Sequence, residues 1–164
     1  ESCYPYLAPV IPYNKAYEEE RCLSSERYSC YNLQFLLDNQ IPLQSIYPKP
    51  RGNYCIADSS SGWVIDDRGD IYKCWNEIAD TNKSVGNVNR GRDYLQHTYV
   101  LEQFLGFDPT LDEECESCNL LPVCVGGCPH SRITGLDRCE QRRHNLQEYI
   151  VQCAKAILRE KRRS

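Results

Sequence analysis

The spacing of apolar residues changes character along the chain, and each change predicts a different element. Tyr28, Leu33, Leu36 and Leu37 recur at helical spacing behind Ser24-Ser25-Glu26, whose small hydroxyls suit a helix start. This helix is expected to end near Asn39, ahead of Pro42. Trp63-Val64-Ile65-Asp66 and Asp70-Ile71-Tyr72-Lys73-Cys74-Trp75 are strand-like runs separated by Asp67-Arg68-Gly69, which predicts a β-hairpin with glycine supplying a positive φ. Tyr94–Phe107 carries Leu95, Tyr99, Val100, Leu101 and Phe104 and reads as a helix stopped by Gly106 and Pro109. Asp137–Arg163 reads as one long amphipathic helix with the stripe Leu146, Tyr149, Ile150, Cys153, Ile157 and Leu158. The segments between are weaker. A short extended stretch is expected near Tyr6–Ile11, and 41–54, with three prolines and Gly52, reads as a linker or wrapping loop. Asn76–Asn89 is a polar loop with a short strand at Ser84–Val88, and Cys115–Cys139 is loop-rich. The expected fold class is therefore α+β: a small hairpin, cysteine-rich loops, flanking helices and a long C-terminal helix.

Composition narrows what such a chain does. Its 164 residues suit one domain, or a domain with an appended piece. Lys and Arg number 19 against 23 Asp and Glu, so the net charge of −4 makes nucleic acid a poor partner. Apolar runs are too short for a membrane span or a signal segment, and a cytoplasmic location is expected. The chain opens on Glu1 and lacks methionine, which reads as an excised piece of a longer protein. Eleven cysteines are an odd number, so a closed disulfide framework would leave a thiol over.

Position decides how that cysteine is used. Five of the eleven fall between residues 115 and 139, as Cys115-x2-Cys118-x5-Cys124-x3-Cys128 followed by Cys139. Thiolates this close on a loop, interleaved with Gly126-Gly127, can converge on a metal centre that the glycines let the backbone approach. Spacing alone leaves zinc and iron–sulfur clusters both open.

Cys55-x13-Gly69-x4-Cys74, taken together with the Cys115–Cys128 run, resembles the SPASM domain over roughly residues 50–150. That domain is the auxiliary-cluster region of radical SAM (S-adenosylmethionine) enzymes that modify peptides. Its most recognisable segments here are Asp66-Asp67-Arg68-Gly69-Asp70-Ile71-Tyr72-Lys73-Cys74-Trp75 and Leu121-Pro122-Val123-Cys124-Val125-Gly126-Gly127-Cys128-Pro129. The resemblance implies two [4Fe–4S] clusters, the first held by Cys55, Cys74 and Cys128, the second by Cys115, Cys118, Cys124 and a later cysteine. The family's usual position for that last ligand is occupied here by Leu146, which leaves Cys139 and Cys153. Cys139, at a loop-to-helix junction, is preferred; Cys153 lies on an apolar helix stripe and reads as a core thiol. The first cluster would either keep an open iron or take a fourth ligand from Cys3, Cys22 or Cys30.

The Cys-x3-Cys-x2-Cys loop that cleaves S-adenosylmethionine is absent, since residue 131 is Ser. The resemblance therefore implies that S-adenosylmethionine and a third cluster belong to a missing N-terminal part, and that this chain is inactive alone. Residues 1–45 would be the remnant strand and helix of its partial barrel, and 46–164 the auxiliary-cluster domain. The implied partners are a precursor peptide, the catalytic domain and an electron donor or acceptor, and the implied reaction is a sulfur-to-carbon crosslink. The competing reading is a non-catalytic zinc-binding interaction module, and a secreted disulfide protein comes third. Asp66, Asp67 and Asp70 are expected to shape the hairpin turn, His97, His130 and His144 to be structural or exposed, and Trp63 and Trp75 to pack in the core or shield a cluster.

Overall fold

The computed structural model describes residues 5–11, 22–41 and 49–162. They form two compact units, one of Glu1–Lys49 with Glu140–Ser164 and one of Pro50–Cys139. The fold is α+β, with a three-stranded antiparallel sheet among short helices.

In the first unit, helix α1 (Ser25–Asp38) starts where a hydroxyl can cap it: Ser24 Oγ accepts the Arg27 N–H at 3.3 Å. It ends at Asn39, whose side-chain amide donates to the Phe35 carbonyl at 2.8 Å. Leu33 and Leu36 of α1 pack with Ile41, Tyr149 and Cys153 into one apolar cluster. Ser29 and Asn145 join reciprocally, Ser29 Oγ donating to Asn145 Oδ1 at 2.6 Å and Asn145 Nδ2 to the Ser29 carbonyl at 3.0 Å. Two expectations need correction here. Residues 5–11 form no strand; Pro5 and Pro9 lack the N–H a ladder needs, and Tyr6 and Val10 face solvent. The long C-terminal helix begins at Leu146, not Asp137: a 3₁₀ turn at Gln141–His144 precedes the helix Leu146–Lys161. Its stripe is also narrower than the periodicity implies. Tyr149 and Cys153 are buried, whereas Ile150, Ile157 and Leu158 are exposed.

In the second unit, strands β1 (Val64–Ile65), β2 (Asp70–Tyr72) and β3 (Gly86–Asn87) lie in that order. Val64 pairs with Tyr72, and Ile71 pairs with both Ile65 and Gly86. The hairpin turn forms as read, with Gly69 at φ 84 and Asp66 Oδ1 accepting the N–H groups of Arg68 and Asp70. The strand expected at Ser84–Val88 is present as β3. The helix expected over Tyr94–Phe107 is shorter, α2 (Thr98–Leu105), because Leu95 is held in a bridge to Gly86. Within the cysteine-rich stretch lie two short helices, α3 (Leu121–Cys124) and α4 (Pro129–Thr134). Ala57, Ile71, Val85, Val100 and Phe104 make the core, with Cys55, Cys74 and Trp63 packed against it. Trp75 does not join that core; it is 68% exposed. Helix Leu146–Lys161 of the first unit is α5. Among the described residues no helix is long and apolar enough to cross a membrane.

Candidate metal centre

Each cysteine of the second unit sits where backbone geometry fixes its sulfur. Cys55 caps the single 3₁₀ turn Ile56–Asp58, its Sγ accepting the Ala57 N–H at 3.3 Å. The Asp58 carboxylate returns to the N–H groups of Tyr54 and Cys55 at 2.8 and 3.0 Å, which locks the turn. Cys74 likewise precedes a 3₁₀ turn, Trp75–Glu77; its sulfur makes no capping hydrogen bond, but the nearby Asn76 N–H favours its thiolate. Backbone N–H groups aimed at sulfur are the donors an iron–sulfur cluster uses to stabilise its thiolates. Cys128 is distant in sequence but near enough for its charge to act on both Cys55 and Cys74, and that of Cys55 acts on Cys74. Burial pushes the Cys55 thiol up and takes Cys74 up to about 11, the N–H donors opposing the rise in each case.

Lys73, the residue before Cys74, is fully buried at 0% exposure. Its Nζ donates to the carbonyls of Ser59 and Gly62, each at 2.6 Å, and stands 4.5 Å from the Trp63 ring centroid. Burial lowers its pKa, and Asp58 and Cys55 oppose that. Glu77 is nearby and 4% exposed. Burial lifts its carboxyl to about 7, against the pull of Lys83.

The other thiols belong to a second neighbourhood. Cys115 lies on a turn organised by Asp112, which accepts the N–H groups of Glu114 and Cys115. Arg138 reaches the same place: it donates to Asp112 at 2.9 Å and to Glu114 at 3.1 Å, and its guanidinium lies 3.9 Å from Cys115 Sγ. Burial, then the hydrogen bond to Asp112, takes the Cys115 thiol up to about 11; Arg138 lowers it, and Cys124 adds to the rise. The main chain of Arg138 is fixed as well, since its carbonyl accepts the Cys128 N–H at 3.1 Å. That approach requires glycine at 127, which has φ 77 and where a Cβ would collide with the Arg138 carbonyl oxygen. Phe107 fills the space over Gly126, with the Arg132 guanidinium 3.9 Å from its ring centroid. Cys139 follows directly, its N–H held by Asp137 at 3.1 Å.

Seven thiols thus lie in one unit: Cys128 raises Cys55, Cys128 and Cys55 raise Cys74, and Cys124 raises Cys115. Cys118 and Cys139 share that unit. Cys22, Cys30 and Cys153 belong to the first unit, Cys153 as part of its apolar core, and Cys3 lies outside the described residues. No disulfide joins the described cysteines to one another. Among the described residues, no three His, Cys, Asp or Glu side chains stand close enough to hold one metal ion. A four-iron cube holds its thiolates further apart than a single ion does. The soft all-thiol donor set and the Ala57 N–H on Cys55 Sγ are chemically suited to such a cube. Of the histidines, His97 caps α2 and bonds the Ser84 carbonyl through Nδ1, His144 is exposed, and His130 is buried in α4. Lys73, Glu77, Asp112 and Arg138 were not legible as site residues, although each lies within three positions of a cysteine. Comparison with family models, with curated proteins and with solved structures found no match.

Proposed function

We propose that Pro50–Cys139 binds two [4Fe–4S] clusters and that the chain is the auxiliary-cluster portion of a radical SAM enzyme modifying a ribosomally made peptide. One observation supports this reading: Cys128 lies near enough to Cys55 and Cys74 to raise both thiols, and Cys124 near enough to Cys115 to raise that one. Interleaved ligands for two centres, as the SPASM resemblance implies, would be neighbours in this way. The second cluster would use Cys115, Cys118, Cys124 and Cys139, and the clamp of Arg138 on Asp112 and on the Cys128 N–H favours Cys139 over Cys153.

When bound, the clusters supply acceptance and relay of single electrons. The chain's own residues do the rest. Ala57 directs its N–H at the Cys55 sulfur, the apolar core behind Cys55 and Cys74 excludes water, and Arg138 sets a positive charge beside Cys115. A precursor peptide, a catalytic radical SAM domain and an electron partner complete the proposed system.

Single substitutions in anaerobically reconstituted protein test this interleaving. Cys128→Ser and Cys124→Ser should each lower iron from about eight to about four atoms per chain. The paramagnetic resonance spectrum left in Cys128→Ser should match that of Cys55→Ser, and that of Cys124→Ser should match Cys115→Ser. Identical residual spectra in all four variants would show one shared centre and reject the proposal.

A further inference from the structure

Seven thiols divide unevenly between two four-donor sites, and the site around Cys74 is one donor short. Within the second unit, a side chain of a different kind stands ready. Glu77 is 4% exposed, and its Oε2 is buried with no hydrogen-bond partner among the described residues. A buried carboxylate oxygen left without a partner is costly, so such a group is ordinarily matched by a donor or a cation. Lys83 lies near enough to favour the ionised form, but no ion pair joins it to Glu77.

Backbone geometry sets Glu77 beside Cys74: it closes the 3₁₀ turn that Cys74 precedes, its N–H bonding the Cys74 carbonyl at 3.1 Å. The Glu77 charge is felt at the Cys74 thiol, as are those of Cys128 and Cys55. The upstream thiols Cys22 and Cys30 belong to the other unit.

We propose that the Glu77 carboxylate is the fourth protein donor of the Cys55–Cys74–Cys128 site, closing its cluster with one oxygen ligand. The inference rests on the cluster reading above and sharpens it: the first centre is neither open nor all-thiolate. Carboxylate is a harder ligand than thiolate and holds iron–sulfur iron less firmly, so this corner would be the one an incoming thiol can displace.

The direct test is pulsed paramagnetic resonance on the reduced, reconstituted full chain, made with glutamate carrying a magnetic carbon isotope at its side-chain carboxyl. A carbon hyperfine coupling to the cluster is expected in the wild-type protein. It should vanish in Glu77→Gln, with the coupling lost and the rest of the unit intact by circular dichroism. Glu77→Cys should restore full iron content without the coupling. An iron-loaded wild-type protein with no coupling overturns the assignment whether or not any variant folds, and so does a coupling that survives Glu77→Gln. A protein that takes up no iron overturns both this inference and the cluster reading, and metal analysis separates that failure from the first.

Discussion

Lys73 shows how much of the candidate site rests on single side chains. Its ammonium is buried against two carbonyls and the face of Trp63. Lys73→Met would keep much of the side chain's volume and leave the Ser59 and Gly62 oxygens without their donor. The expected loss is about 2 kcal/mol or more, read as a lower denaturation midpoint of the metal-free chain. A variant as stable as wild type would show that water satisfies both carbonyls. The two late cysteines make a sharper pair. Cys139→Ser should remove about four of roughly eight irons. Cys153→Ala should keep the iron and cost about 1 kcal/mol of stability, because Cys153 packs in an apolar cluster. The reverse pattern, measured by iron analysis and denaturation together, would exchange their roles. The thiols could be singled out from spacing because cysteine is rare and reactive wherever it stands. Lys73 and Glu77 could not. Charged residues read as solvent-facing by default, and only the folded chain buries one against carbonyls and the other beside Cys74.

At the scale of elements, local signals read well and distant ones did not. The hairpin was legible because its turn chemistry is local: Asp66 accepts two N–H groups and Gly69 supplies the positive φ. The start of α1 was legible for the same reason, through Ser24. The break before α5 was not, since it follows contacts that reach across the sequence. Arg138 gives its carbonyl to the Cys128 N–H and its guanidinium to Asp112, so the chain cannot enter a helix at Asp137. Leu95 likewise belongs to a bridge with Gly86 rather than to the helix its spacing suggests. A glycine pair tests the importance of the Arg138 contact. Gly127 and Gly135 both hold positive φ, but a Cβ at 135 meets open space while one at 127 meets the Arg138 carbonyl. Each Gly→Ala change costs about 1 kcal/mol for the backbone alone. Only Gly127→Ala should also lower iron content on reconstitution. Equal iron in the two variants would show that the approach of Arg138 does not govern the centre.

At the scale of the whole molecule, the eleven cysteines are distributed by unit. Seven fall in Pro50–Cys139, three in the unit that contains α1 and α5, and Cys3 lies outside the described residues. That partition was partly legible, because the dense run at 115–139 already stood apart in the sequence. The association of the C-terminal helix with the N-terminal residues was not, since no local pattern announces that Tyr149 and Cys153 will pack with Leu33 and Leu36. The nearness of Cys128 to Cys55 and of Cys124 to Cys115 is likewise a property of the folded unit, and it is the feature that supports the functional proposal. The most direct measurement is the metal content of the wild-type chain after anaerobic reconstitution with iron and sulfide, followed by desalting. Two clusters require about eight irons and a matching amount of acid-labile sulfide per chain. Stoichiometric zinc with negligible iron and sulfide would contradict the proposal.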